Sequence, residues 1–346
     1  MFTRNQFPGA PIILGRETIK AGVLRAIVVN SKVSNVATGR AGVEHARRMA
    51  AAAAREVGTD AAKVLVSSTG VIGVPLPIEK IEHGIVGMAS ELQADPMIGA
   101  LGIMTTDTHP KVLSTRVGPA TITWVAKGAG MIEPNMATML AYVFTDAAFG
   151  APALGAMLRR AVDVSLNMMS VDTDTSTSDS CALLANGLAG AVDPDAFQNA
   201  LTSGSVRMAE IIARDGEGAK HLIRVSVREA RSRDDARAVA KSVVNSPLVK
   251  TMIAGADPNV GRLLMAIGKC FSATIDPDRT DVWINGHQVV AAGARAAFLD
   301  DTVRTALGDE VVNVEIALGV GDAGATAFGC DLTQGYIDEN AAYYST

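Results

Sequence analysis

The stretch "KGAGMIEPNMATMLAYVFTDA", residues 127–147, contains an apolar run that begins directly after a threonine. The β-branched and aromatic residues of this run predict a buried strand. The glycines and the proline before it predict an irregular approach to that strand. Thr138 is a poor helix N-cap, because Ala141 stands where a capping box requires Glu or Gln. Thr138 is therefore either the ordinary first residue of a strand or a residue with a chemical role.

The composition is that of a globular protein. With 346 residues, 48% hydrophobic and 19% charged, the chain can form one large domain or two moderate ones. The net charge of −5 argues against a nucleic-acid partner. No run reaches the ~18 apolar residues of a membrane span, and the N-terminus lacks the apolar core of a signal peptide. Cys181, Cys270 and Cys330 form no C-x-x-C pair, so we expect no metal, no membrane partner and a reducing cytoplasm.

Short apolar runs alternate with helical stretches, which predicts an α/β fold. A helix is predicted over residues 40–58, ending at Gly58, and another begins near Pro152. After Ala219 the pattern suggests a second αβ module, with soft boundaries near residues 148 and 240. Strands are predicted for "LRAIVVN" (24–30), "KVLVSSTGVIG" (63–73), "ALGIMTT" (100–106), "ATITWVA" (120–126) and the run after Thr138.

Two local motifs resemble ligand sites without meeting their requirements. "GVGDAG" (319–324) matches G-x-G-x-x-G, but a strand-like segment follows it instead of a helix, so we predict a hairpin turn. "DTDTSTSD" (172–179) lacks the Gly and Glu that a calcium loop requires at its sixth and twelfth positions. We interpret it as a hydroxyl-rich turn that leads into a helix over "SCALLANGLAG" (180–190), although so many hydroxyls could also line a site.

A more informative pair, Thr69 and Gly70, stands at the end of a predicted strand. A hydroxyl and backbone N–H groups at such a position could face an oxyanion, whereas Gly70 alone could simply serve the turn. Lys127 and Glu217, taken alone, could be ordinary surface charges.

Several segments of the chain occur in the order found in one known family: "FTRNQFPGAP", "SSTGVIGVPLPIEKI", "KGAGMIEPNMATMLAYVFTDA", "RDGEGAKHLI", "VKTMIAGADPNVGRLLMAIGK" and "YIDENAAYYST". In these segments the chain resembles the ornithine acetyltransferase family, the glutamate N-acetyltransferases of the cyclic arginine pathway. The resemblance runs along essentially the whole chain. It implies an α/β fold of this type, a layered helix–sheet–sheet–helix sandwich with a smaller C-terminal αβ module of roughly residues 240–346.

What the resemblance implies is an enzyme that cleaves its own chain at Ala137–Thr138. An α chain of residues 1–137 and a β chain of residues 138–346 would result, and two of each would assemble. The exposed N-terminal Thr138 would be the nucleophile and its α-amine the base. Acetyl would pass from N-acetyl-L-ornithine to L-glutamate by a ping-pong mechanism, without a metal or organic cofactor, and acetyl-CoA stays open as a further donor.

The resemblance also implies the roles of individual residues. Thr69 and Gly70 would form the oxyanion hole. The residues implied to contact the substrates, besides Thr138, are Thr108, Lys127, Glu217, Asn340 and Ser345.

The chain departs from the family pattern at several places. A stretch usually close to N-S-G-N-A-N reads "NSKVSN" (30–35), so Lys32 and Val33 replace small residues that permit tight backbone conformations. Thr173 replaces a usual Gly, and Val260 and Phe328 replace usual tryptophans. The family also carries further residues before "FTRN". These departures leave two alternatives open: a hydrolase that uses the same threonine, and an uncleaved, non-catalytic homologue.

Overall fold

A computed structural model of the chain describes residues 1–133 and 139–341. The chain packs as two compact units whose division falls within one long helix, between the boundaries expected near residues 148 and 240. The predicted division at Ala137–Thr138 concerns a peptide bond, not packing, and stays a prediction. The first unit comprises Met1–Asn167 and Thr175–Met208, and the second comprises Met168–Asp174 and the chain from Ala209 onward.

Strands and helices alternate along much of the described chain, as expected for an α/β fold. The strands are β1 (Ala26–Asn30), β2 (Val64–Ser68), β3 (Lys111–Val117), β4 (Ala120–Lys127), β5 (Leu140–Ala147), β6 (Met169–Ser170), β7 (Ser180–Gly190), β8 (Leu222–Ala230), β9 (Asp281–Ile284), β10 (His287–Ala291), β11 (Ala294–Arg295), β12 (Val311–Ala317) and β13 (Ala323–Cys330). The α-helices are α1 (Ala10–Thr18), α2 (Gly39–Val57), α3 (Ile78–Ile85), α4 (Pro96–Gly102), α5 (Ala151–Asp163), α6 (Pro194–Arg214), α7 (Arg233–Val244), α8 (Pro247–Ala254), α9 (Gly261–Gly268), α10 (Asp300–Leu307) and α11 (Gln334–Ala341).

The first unit begins with a helix packed on a small parallel sheet. Strands β1 and β2 pair in parallel, and every residue of β2 is buried. Helix α2 places Ala46, Met49, Ala50 and Ala53 at helical spacing on one buried face. These small side chains pack with Val66 and its neighbours in one hydrophobic cluster, so the helix can approach the strands closely.

A four-stranded sheet in the order β3-β4-β5-β7 forms the next layer of the first unit. Leu65, on the opposite side of β2 from α2, packs in one cluster with Val125, Leu140 and Tyr142 of this sheet. The other side of the four-stranded sheet carries helices α5 and α6, which line a small apolar cavity with Trp124. The unit is therefore layered helix, sheet, sheet and helix, which confirms the predicted sandwich.

The second unit is built on a mixed sheet in the order β11-β10-β9-β12-β8-β13-β6. Strand β8 pairs in parallel with β12 and antiparallel with β13. Helix α7 covers β8 and β13 with a buried stripe that includes Ala236, Val239 and Val243. Ser232 begins this helix by accepting a hydrogen bond from the Asp235 backbone N–H, as an N-cap should. The unit confirms the expected αβ character of the C-terminal region.

Three local predictions were wrong. The first half of "ALGIMTT" lies in α4, because Asp95 caps a helix that Pro96 begins. "SCALLANGLAG" is β7, because pairing with β5 overrides the helix propensity of its alanines and leucines. "GVGDAG" is no hairpin turn, since the strands it joins, β12 and β13, lie on either side of β8. The strand predicted after "GVGDAG" is confirmed as β13.

Helix α6 approaches the four-stranded sheet at a glycine. A β-carbon built on Gly204 would lie 2.3 Å from Cη2 of Trp124, a buried and rigid ring. Trp124 also donates an indole hydrogen bond to the Ser205 hydroxyl at 3.3 Å. The absence of a side chain at position 204 therefore sets the distance between helix and sheet. Within the described residues, no helix is both long and apolar enough to span a bilayer.

We predict that Gly204→Ala lowers the free energy of unfolding by about 1–3 kcal/mol, because the new methyl group overpacks the Trp124 ring. The matched control is Gly155→Ala in α5, where an added β-carbon meets only Arg159, at 3.6 Å. That control should raise the free energy of unfolding by about 0.5–1 kcal/mol through helix propensity alone. Urea unfolding of both variants measures the difference, and equal gains in both would contradict the steric argument.

Candidate active site

The candidate oxyanion turn, Thr69–Gly70, directly follows β2. The loop after β1 runs beside it, because the two strands are parallel and end at the same edge. The Thr69 N–H donates to the Asn30 carbonyl at 3.1 Å, and the Val71 N–H donates to the Lys32 carbonyl at 2.9 Å. The Ser68 hydroxyl donates to the Asn30 side-chain oxygen at 2.6 Å. These bonds fix the turn from both sides of Gly70.

Gly70 occupies a place that no other residue fits. Its φ of +126° lies in the region that favours glycine. A β-carbon there would lie 2.1 Å from the Lys32 carbonyl carbon. Within residues 1–133 and 139–341, the Gly70 N–H has no hydrogen-bond acceptor. A backbone N–H without an acceptor can stabilise a negative charge that develops on a substrate.

The departures at Lys32 and Thr173 both fall on left-handed backbone. Lys32 has a φ of 77° and Thr173 a φ of 70°. The expectation of a tight backbone conformation is confirmed for Lys32 and is wrong for Val33, which does not have a positive φ. Thr173 is especially strained in this conformation because threonine is β-branched. Beside Gly70, the chain keeps a left-handed backbone at Lys32 although lysine, unlike glycine, has a β-carbon that resists it.

Lys127, the last residue of β4, reaches the oxyanion turn. Its ammonium donates to the Thr69 hydroxyl oxygen at 3.1 Å and to the Thr105 hydroxyl oxygen at 2.8 Å. The side chain is buried, with 8% of its surface exposed. Lys127 is thus no ordinary surface charge, and the structure brings together three of the predicted site residues, Thr69, Gly70 and Lys127.

The buried carboxylate of Asp107 was missed by sequence reasoning. It accepts hydrogen bonds from the Lys111 ammonium and the Gly128 N–H, both at 2.6 Å. Burial alone would raise the pKa of Asp107, but the charges of Lys127 and Lys111 and the Gly128 hydrogen bond hold it below its ordinary value. The polar run "TTDTH" (105–109) just before a strand was the available signal.

Thr108 lies next to Asp107 in the same loop, on the surface. Its hydroxyl contacts Nδ1 of His109 at 3.0 Å. Because the Thr108 side chain is exposed, it is accessible to a ligand.

Glu217 and Asn340 are brought together in the second unit. Asn340, on α11, donates to the Glu217 carboxylate at 2.6 Å. The start of α11 is held by Thr333, whose hydroxyl donates to the Gly218 carbonyl at 2.6 Å. Burial, together with nearby carboxylates that include Glu217, raises the pKa of Tyr336 on the same helix. Asn340, near the C-terminus, therefore lies against Glu217.

The cleavage pair Ala137 and Thr138, and Ser345, lie outside the described residues. Leu140, two positions after Thr138, pairs with Lys127 across β4 and β5. Among the residues that the structure describes, no cluster of three or more His, Cys, Asp or Glu side chains could hold a metal ion.

Residues 1–345 match the model of the ArgJ family. The chain belongs to the ArgJ family. It is 45% identical over 345 residues to "Arginine biosynthesis bifunctional protein ArgJ 2" of Nostoc sp. PCC 7120, which covers 99% of this chain and 89% of that protein. It is 44% identical over 352 residues to "Glutamate N-acetyltransferase Oat2" of Streptomyces clavuligerus, with the same shares of each chain.

A solved structure agrees with this membership. The crystal structure of arginine biosynthesis bifunctional protein argJ from Bacillus halodurans has a TM-score of 0.57 and 36% identity, covering 60% of this chain and 100% of that chain. The resemblance found in the sequence is therefore confirmed, and with it the mixed α/β fold. This ArgJ-family chain is an N-acyltransferase, and acetyl transfer in arginine biosynthesis is its class of reaction.

We predict that Lys32→Gly raises the free energy of unfolding by about 1 kcal/mol, because glycine adopts left-handed backbone without the steric cost of a β-carbon. The neighbouring Ser31, whose φ is not positive, provides the control: Ser31→Gly should destabilise the protein through chain entropy. Thermal and urea unfolding measure both. A loss of stability in Lys32→Gly would show that its side chain matters more than its backbone.

We predict that Asp107→Asn lowers the free energy of unfolding by about 3–5 kcal/mol at pH 7, as expected when one partner of a buried ion pair is removed. The folded-state pKa of Asp107 is depressed, so its stabilisation is present above its unfolded value of ~3.9 and is lost as pH falls through the folded-state pKa. The two proteins should therefore converge in acid. Urea unfolding across pH measures this, with the exposed Asp60→Asn as a near-neutral control. A constant difference down to the lowest pH would contradict it.

Proposed function

We propose that the chain transfers the acetyl group of N-acetyl-L-ornithine to L-glutamate through an acetyl ester on Thr138. Membership of the ArgJ family supports this reaction, as does the name of the Streptomyces clavuligerus relative. The observation that carries the proposal is the pair of donors after β2. Among the described residues the Gly70 N–H has no acceptor, and the Thr69 hydroxyl stands beside it against the Lys127 ammonium.

The nucleophile would be made by self-cleavage. The Thr138 hydroxyl attacks the Ala137 carbonyl, the peptide nitrogen leaves as an amine, and the resulting ester is hydrolysed by water. Thr138 is then an N-terminal residue whose α-amine, with a pKa near ~7.7–8.0, can accept and return a proton at neutral pH.

Acetyl transfer then takes two balanced steps. In the first, the Thr138 hydroxyl attacks the acetyl carbonyl, and the amide C–N bond breaks. Ornithine leaves with the proton that the α-amine had accepted. In the second, the amine of glutamate attacks the acetyl ester, the C–O bond breaks, and the Thr138 hydroxyl regains its proton. In both steps the carbonyl oxygen becomes negative, which is the charge that Thr69 and Gly70 would stabilise.

The remaining predicted residues have roles that fit their chemistry. Lys127 would attract a substrate carboxylate and Glu217 a substrate amine. Asn340, bonded to Glu217, would orient that carboxylate. Thr108, which is exposed, and Ser345 would add hydroxyl contacts.

We also propose that two α and two β chains assemble into the working enzyme, which acts in the cytoplasm without a metal or organic cofactor. The resemblance to the family supports this assembly. Replacing N-acetyl-L-ornithine with acetyl-CoA in the activity assay tests whether acetyl-CoA is an alternative donor.

We predict that the purified protein consists of two fragments that meet at Ala137–Thr138, because the threonine hydroxyl is the only cleaving group that the proposal needs. Thr138→Ala should leave a single intact chain, and Thr138→Ser should restore cleavage at a reduced rate, because serine keeps the hydroxyl. Intact-mass spectrometry of the three proteins measures the outcome. A wild-type chain that stays whole would favour the non-catalytic homologue.

The cleaved protein is then assayed with N-acetyl-L-ornithine, with and without L-glutamate. Glutamate-dependent release of ornithine, matched by an equal amount of N-acetylglutamate, is the expected result. Release that is equally fast without glutamate would identify a hydrolase that uses the same threonine.

A further inference from the structure

Three charged side chains are buried together at one end of the four-stranded sheet. Lys111 is 1% exposed, and Asp107 and Lys127 are each 8% exposed. Burying an ion is costly unless it is paired and hydrogen-bonded. The Lys111 ammonium donates to the Asp107 carboxylate at 2.6 Å, and the charge of Lys127 acts on the same carboxylate. The resemblance implies a role for Lys127 but none for Asp107 or Lys111, so the burial of these two charges needs an explanation.

Asp107 ties together the parts of the chain that hold Lys127. Its Oδ1 accepts from the Gly128 N–H, which belongs to the residue directly after Lys127. Its Oδ2 accepts from the Thr105 N–H at 3.1 Å, and the Thr105 hydroxyl is an acceptor of the Lys127 ammonium. Asp107 therefore fixes both the backbone that carries Lys127 and a group that orients its charge.

The ammonium of Lys127 in turn determines how the Thr69 hydroxyl is used. An ammonium only donates hydrogen bonds, so Thr69 Oγ1 must be the acceptor in their 3.1 Å contact. The single hydroxyl hydrogen of Thr69 is then directed away from Lys127. A hydroxyl that accepts from a cation is also polarised into a stronger donor.

We propose that Asp107 is a positioning residue for Lys127 and, through the Lys127 ammonium, for the donor direction of the Thr69 hydroxyl. The inference rests on the proposed function, in which Thr69 donates to the reacting carbonyl oxygen. It adds that Lys127 prepares this donor as well as attracting a substrate. Lys111, together with Lys127, supplies the positive charge that favours the ionised carboxylate of Asp107 in the interior.

A double-mutant cycle between Asp107→Asn and Thr69→Ala tests this chain of contacts. Thr69→Ala should lower kcat by about 10²–10³-fold, as expected for the loss of one oxyanion donor. Asp107→Asn should lower kcat by about 10–100-fold through misplacement of Lys127. The double variant should be no slower than Thr69→Ala, because Asp107 has no Thr69 hydroxyl left to position.

The cycle is measured on the cleaved enzyme, with the cleaved fraction counted by intact mass, so that slow self-cleavage is not mistaken for a low kcat. Multiplied losses in the double variant would overturn the proposal, because they would show that Asp107 acts independently of Thr69. An inactive wild-type protein would instead refute the proposed function itself, which separates the two failures.

Asp235→Asn is the matched control. Asp235 is also buried, and its carboxylate accepts from the Thr274 N–H and the Ser232 hydroxyl, but it lies in the second unit. It should leave kcat unchanged in both the wild-type and Thr69→Ala backgrounds.

If Asp107→Asn alone does not fold, Asp107→Asn combined with Lys111→Met replaces it in the cycle. This pair removes one negative and one positive charge, so the net charge stays that of the wild type. A low kcat that still couples to Thr69→Ala supports positioning. Recovery of the wild-type kcat would mean that Asp107 only balances the charge of Lys111, and the proposal would fall.

Discussion

The turn that carries Thr69 depends on a contact in which two backbones touch with no side chain between them. Gly70 lies against the main chain of Lys32, where a β-carbon would overlap the Lys32 carbonyl carbon. This contact places the ends of β1 and β2 side by side, at the edge where parallel strands commonly present their ligands. The direction of the Gly70 N–H follows from it. So does the position of Thr69 within reach of Lys127.

Much of the first unit could be predicted from the sequence. Strands β1, β2, β4 and β5 and helix α2 carry patterns that local physics decides, namely β-branched runs and an alanine stripe closed by Gly58. Strand β7 was mistaken for a helix, because alanine and leucine favour helices until a neighbouring strand supplies hydrogen bonds. The loop between β12 and β13 was mistaken for a hairpin, because strand order in a sheet is not a local property.

The predicted site divides in the same way. Thr69, Gly70 and Lys127 were found because motifs carry them, and their contact follows from the meeting of β2 and β4. Asp107 was given no role in the predicted site. Its meaning depends on Lys111, which the register of β3 places opposite Ala126 and therefore next to Lys127. The role of a buried carboxylate can be recognised only from the tertiary structure, which places the cations beside it.

Helix α11 differs from the other helices described with it in how it is attached. None of its residues, Gln334–Ala341, is buried, and its anchors are polar: the hydroxyl of Thr333 on Gly218 and the amide of Asn340 on Glu217. Opening of such a helix exposes little apolar surface. Its amide hydrogens should therefore exchange through a local fluctuation that denaturant barely accelerates, whereas those of the buried strands should exchange only when the whole unit unfolds.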